Sequence, residues 1–270
     1  MRKYLRLLAY EIRTIVRDAM SVFLLAYPAF MFVLIGWLLP ASLLKGGVAQ
    51  TSPAYALTMI ITFVVMISIG GFVGGALLGF SLLENKDEKT INSIAVTPIS
   101  ISGYVIFKSL YTYVLSVIGN LALILAIRWF ASDAYSFTFG TMTFGFDNLT
   151  YWEIIAFSFV SSLLVPAIGT LIASVAKNKI EGFTFMKSGG IVFMIPALVL
   201  LNAFSDWKQY LLGITPNFWP VKALLNSALN TQGASDLPFW AYMLIGGVYM
   251  LALAVYSIIS FSRKHETLGG

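Results

Sequence analysis

No cysteine occurs among the 270 residues, and the single histidine is His265, close to the C-terminal end. Disulfides, thiolate metal centres and thiol nucleophiles are thereby excluded. An H-E-x-x-H zinc site and a Ser-His hydrolase are excluded as well. No G-x-x-x-x-G-K-[ST] stretch is present, so the chain lacks that kind of phosphate-cradling loop for ATP. Charge is scarce too. Charged residues make up 11% of the chain, whereas a soluble domain carries roughly 25%. Acids are nearly absent from the long apolar runs, which disfavours a carrier driven by protons or sodium, since such carriers rely on intramembrane acids.

Apolar residues are plentiful: 59% of the chain is hydrophobic and mean hydropathy is +0.85. They are gathered into runs of about twenty residues or more, the length a helix needs to cross about 30 Å of hydrocarbon. The pattern predicts one all-α polytopic membrane domain over 1–270, with six spans near 20–39, 54–83, 104–130, 151–176, 188–204 and 239–261. Pro28 is expected to kink the first span. The second would reach about 45 Å as a helix, so it must tilt or project its last turns into the cytoplasm. In residues 1–18, Leu5, Leu8, Ile12, Ile15 and Val16 share one helical face and Arg2, Arg6, Arg13 and Arg17 another. That division describes a helix lying in the headgroup layer; the alternative is a basic tail that only orients the first span. The long apolar run after it and the lack of an A-x-A site argue against a cleaved leader.

Two stretches stand out against this background. In GGFVGGALLGF, Gly70, Gly71, Gly74, Gly75 and Gly79 repeat at four-residue intervals, leaving a smooth face that permits close backbone approach. That face serves either a sliding or subunit contact or tight packing within one bundle. The other stretch, ENKDEKTINSIAVTPISISGYVIFK, runs from Glu84 to Lys108 and is the most charge-dense interior segment. Asn85 with Glu88 resembles a capping pair that starts a short helix. Ile91, Ile94 and Ala95 give it a small apolar stripe, and Thr97-Pro98 ends it. So short a helix needs a partner surface. Lys108 is expected to snorkel to the headgroups, and Asn120 to find an interhelical partner.

The segment Glu84, Lys86, Asp87, Glu88, Lys89, Thr90, Ile91, followed by Val96, Thr97, Pro98, Ile99, Ser100 and then Lys108, resembles the signature of ABC-2-type transporter permeases. The order of elements along nearly the whole chain is similar too. The resemblance implies that 84–103 carries a cytoplasmic coupling helix docking on a separate ABC ATPase subunit. Glu84, Asp87, Glu88, Lys89, Thr90, Ile91, Ile94, Thr97 and Pro98 would take part in that contact. One departure is Asn92, where many members have an acid. It further implies a second permease copy, ATP and Mg held by the partner ATPase with no cofactor on this chain, and re-entrant helices within 205–238. Trp207, Tyr210, Phe218 and Trp219 suit such an interfacial position, since aromatic rings favour the headgroup level; an outer loop packed over the bundle is the alternative.

Charge placement sets the expected orientation. With both termini cytoplasmic, the inner segments hold most of the lysines and arginines, including the basic loop 177–187 with Lys177, Lys179 and Lys187. The outer segments keep only Lys45, Lys208 and Lys222, with Arg128 at a helix end. This agrees with the positive-inside rule. The net charge of +5 is thus read as basic loops beside anionic lipid in the plasma membrane rather than as a nucleic-acid surface. The expected function is the membrane subunit of an ATP-driven exporter of a hydrophobic or amphipathic drug, antimicrobial or lipid. Export of a polysaccharide, or a membrane anchor or sensor for an ATPase, are the alternatives.

Overall fold

The computed structural model describes residues 13, 16, 17, 22, 23, 25–88, 100–139, 142–231 and 233–266. The headgroup-layer helix expected in 1–18 lies almost wholly outside them, as do Lys89, Thr90, Ile91, Ile94, Thr97 and Pro98. The described chain contains six helical spans long and apolar enough to cross a membrane. It is an all-α polytopic membrane protein, and among the described residues its sheet is limited to one short hairpin.

The first span, α1 (Tyr27–Lys45), passes the expected end at Leu39 and Pro40. Its middle, Phe32–Leu38, is wound as a π-helix, and the Leu39 N–H donates back to the Leu34 carbonyl. A fresh α-helical stretch then begins at Leu39, so Pro40 sits in a first turn where its missing N–H is not needed. The helix stops at Gly47, whose φ of 82° lets the Val48 N–H bond the Leu43 carbonyl at 3.0 Å.

The second span, α2 (Pro53–Asp87), is capped by Ser52, whose hydroxyl accepts the Tyr55 N–H at 3.2 Å. It continues without a break through Asn85, and the Glu88 N–H still bonds the Glu84 carbonyl at 2.9 Å. No short helix therefore starts at Asn85. With neither glycine nor proline between Gly79 and Glu88, the i→i−4 ladder runs on to Glu88. α3 is Ile101–Phe130. The hairpin β1 (Phe137–Phe139) and β2 (Met142–Phe144) follows, antiparallel, with Phe137 opposite Phe144.

The fourth span is two helices, α4 (Tyr151–Ser162) and α5 (Leu164–Val175), joined at Leu163. Pro166 has no N–H to offer the preceding turn, and the Leu163 N–H tightens onto the Val160 carbonyl instead. α6 (Lys179–Val192) corrects the sequence reading, which placed 177–187 in a loop and started the fifth span at 188. Asn178 caps α6 by accepting the Glu181 N–H at 2.9 Å, and no proline interrupts 179–192. Past Phe193 the chain unwinds to 3-10 turns at Ile195–Leu200, around Pro196. Further 3-10 turns over Trp207–Ile214 lead to α7 (Phe218–Ala228) and then to the last span, α8 (Phe239–Glu266).

Among the described residues, two large apolar cores and a small third one, Ala76, Leu77 and Phe80, fill the bundle. One gathers Tyr55, Phe63, Tyr135, Phe144, Phe146, Phe218 and Leu224 around the end that carries the hairpin and α7. The other joins Leu78, Leu82, Leu83, Tyr104, Leu164 and Phe261 towards the opposite end. α7 is part of the first core, with Phe218, Val221, Leu224 and Leu225 buried. Phe218 thus fills a core site, whereas Trp207 is exposed. The buried Asn217 donates to the Ser68 carbonyl at 3.2 Å and the Phe193 carbonyl at 2.7 Å. Ser68 lies about 22 Å along α2 from Pro53, so the 205–238 segment reaches far down the bundle. The Phe193 carbonyl is available because the Ala197 N–H bonds Met194 instead.

Candidate functional site

The end of α2 that leads into the charged segment is fastened to two neighbouring helix ends. The Lys86 ammonium donates to the carbonyls of Ala176 at 2.8 Å and Ala173 at 3.5 Å. These are among the last carbonyls of α5, which lack intrahelical donors and form the negative end of its dipole. Glu84 Oε1 pairs with Lys179 Nζ at 3.2 Å, with side chains 23% and 30% exposed. Asp87 Oδ2 accepts the backbone N–H of Lys179 at 3.1 Å, at the positive end of α6. The Asn85 side-chain amide donates to the Tyr104 hydroxyl of α3.

Glu84, Asp87 and Glu88 are the described members of the expected coupling set. Glu84 and Asp87 meet one residue, Lys179, whereas Glu88 is exposed. Lys179 was legible in the sequence only as another inner basic residue. Its pairing was missed because 92 residues of sequence separate it from Asp87. Lys108 corrects a second expectation. It does not snorkel outward but is 1% exposed. Its ammonium donates to the Ser81 carbonyl at 3.0 Å and lies 5.2 Å from the centre of the Tyr104 ring.

The glycine face of α2 meets helices of the same chain. A Cβ at Gly71 would stand 2.6 Å from the Ser161 carbonyl oxygen, at Gly74 2.7 Å from Val165, at Gly75 2.9 Å from Ile168 and at Gly79 3.2 Å from the Gly169 carbonyl. Gly70 abuts Asn120. These contacts pack α2 tightly on α4 at Gly71, on α5 at Gly74, Gly75 and Gly79, and on α3 at Gly70. Asn120 has the interhelical partners expected of it: its amide donates to Ser162 Oγ at 3.1 Å and Ser161 Oγ at 3.3 Å. A cleft of about 160 Å³ opens beside it between α1, α2 and α3, lined by Tyr27, Pro28, Val73, Ser116 and Asn120 among others.

At the other end of the bundle, an ionic network closes the 205–238 segment. Lys222 Nζ pairs with Asp236 Oδ1 at 3.1 Å, the two side chains 13% and 6% exposed. Gln209 donates to Asp236 Oδ1 at 3.0 Å and the Gly233 N–H to Oδ2 at 2.8 Å. The Tyr242 hydroxyl of α8 adds a bond at 3.3 Å. Burial pushes the Asp236 carboxyl up, but the Gly233 N–H, the Lys222 charge and Gln209 outweigh it and hold the carboxyl below its ordinary value. Among the described residues no cluster of three metal-ligating side chains occurs.

The described residues thus form a bundle of six apolar spans with an ionic cluster towards each end. The sequence profile of a family described as fluoroquinolones export permease protein Rv2686c-like matches residues 11–258. The chain belongs to that family. Two curated permeases of Mycobacterium tuberculosis, from strains H37Rv and CDC 1551, are each named fluoroquinolones export permease protein. Each is 26% identical to this chain over 260 residues, covering 94% of this chain and 92% of the relative. Membership accords with the permease resemblance drawn from the 84–108 segment, and makes this chain a multi-pass membrane permease.

Proposed function

We propose that this permease is the membrane subunit of an ATP-driven exporter that expels amphipathic aromatic drugs of the fluoroquinolone kind. The observation that carries the reading is near full-length relatedness to permeases named for fluoroquinolone export. A separate ABC ATPase binds ATP and Mg and docks on the 84–103 segment. Two permease copies enclose the path, both termini of each are cytoplasmic, and the assembly sits in the plasma membrane. The fastening of α2 to α5 and α6 supports this reading, because a push on the 84–103 segment meets three spans at once. The depth of the Asn217 contacts supports a re-entrant 205–238 segment on the outer side.

The test compares cells that carry the permease alone, the ATPase alone and both, challenged with a fluoroquinolone. Resistance and lowered accumulation of the drug are expected only with both. Equal susceptibility of all three strains would refute the proposal. Charge reversal at Glu84 and Glu88 is expected to abolish co-purification of the ATPase while leaving the permease inserted in the membrane.

A further inference from the structure

α6 carries a charge where a lipid-facing helix has none. Lys187 lies eight residues past Lys179, about 12 Å further along the helix axis, within a 22-residue apolar span. It is exposed, and so are Thr184, Ser188 and Ile191. The spacing of the four, i, i+3, i+4 and i+7, puts them on one face. The two hydroxyls bond carbonyls of their own helix, Thr184 to Ile180 at 3.3 Å and Ser188 to Thr184 at 3.1 Å. Among the described residues, none forms a hydrogen bond or ion pair with the Lys187 ammonium. The flanking face is apolar: Phe185, Val192 and Phe193 line a cleft of about 290 Å³ with Phe72 and Ile172.

An ammonium facing hydrocarbon at mid-span costs about 2.5–3.5 kcal/mol, and the four-carbon stem covers only about half of the 12 Å back to Lys179. We infer that the Thr184, Lys187, Ser188 face of α6 lines the water-filled substrate path, and that Lys187 receives the carboxylate of an anionic or zwitterionic substrate. The inference rests on the export reading above, in which a second copy closes the path opposite this face. Fluoroquinolones are aromatic carboxylic acids, so a cation in an otherwise uncharged path distinguishes them from their neutralised esters.

Because the chain has no cysteine, single cysteines report water access without background. Thr184→Cys, Lys187→Cys and Ser188→Cys are expected to react with a charged, membrane-impermeant thiol reagent in everted vesicles, and Leu251→Cys, on the exposed apolar face of α8, is not. Labelling at 187 no faster than at 251 overturns the aqueous face. In the same vesicles, with the partner ATPase and ATP, Lys187→Gln is expected to lower uptake of a fluoroquinolone acid about ten-fold, the loss of one charge-assisted hydrogen bond. Uptake of the ethyl ester is expected to stay unchanged, and Lys187→Arg to retain acid transport. If acid and ester fall together, or neither falls, the carboxylate role is refuted. If the wild type carries neither compound, the export reading fails and the carboxylate role with it; the labelling still decides whether the face is wet.

Discussion

Replacing Asp236 by asparagine removes the counter-ion of Lys222 at a place where both side chains are almost wholly buried. Breaking such a pair strands a charge, and the expected loss of stability is about 2 kcal/mol, below the 3–5 of a fully enclosed pair. A lowered melting temperature in detergent checks it. The same carboxyl predicts a pH dependence. Its folded-state pKa lies below the ordinary value of 3.8, so its contribution is fully present above that value. It is lost as pH falls through the lower folded value. Between pH 6 and 3 the wild type should therefore lose more stability than Asp236→Asn; parallel curves would contradict the assignment. Neither partner was legible as a pair in the sequence, because Lys222 and Asp236 lie in a segment without periodicity and only the fold brings them together. Asn120 was legible, since a polar side chain in mid-span has few options but another helix. Lys108 was misjudged for the complementary reason: sequence position gives depth in the membrane, not which way a side chain turns.

At the level of elements, α2 is the part the others are built on. Its glycine spacing was visible in the sequence, but whether the smooth face served this chain or another depended on where α5 packs. The Cβ positions at Gly71 and Gly75 make a sharp prediction. Gly71→Val places side-chain carbon against the Ser161 carbonyl, a backbone atom that cannot yield, and is expected to cost about 3 kcal/mol or to prevent folding. Gly189→Ala, whose Cβ would meet Phe72 at an ordinary 3.8 Å, is expected to be tolerated. Monodispersity and thermal stability of the two variants separate them. The junction of α2 with α6 is tested by reversal. Glu84→Lys or Lys179→Glu alone should lower the thermal stability of the purified permease, and the double reversal should recover much of it. Failure of the double variant to recover would show that the ion pair does not link the two elements. Element bounds were read well where caps are strong, as at Ser52 and Thr150. They were read poorly at α6, where the charges of 177–187 suggested a loop although Asn178 and Glu181 form a helix start.

For the whole molecule, the six spans were written in composition and run length, which leave no other way to bury so much apolar surface; the permease reading came instead from the likeness of the 84–108 segment to a transporter family. Energy supply is the point on which the account turns. The chain has no nucleotide loop of the Walker kind and almost no acids within its spans, and the proposal above assigns the driving force to a partner acting on the charged end of α2. The most direct test reconstitutes the purified permease in liposomes, with or without the ATPase, and follows entrapment of a fluoroquinolone by fluorescence. The account predicts uphill drug movement only when permease, ATPase and ATP are all present. Drug movement by the permease alone, driven by a proton or sodium gradient, would contradict it.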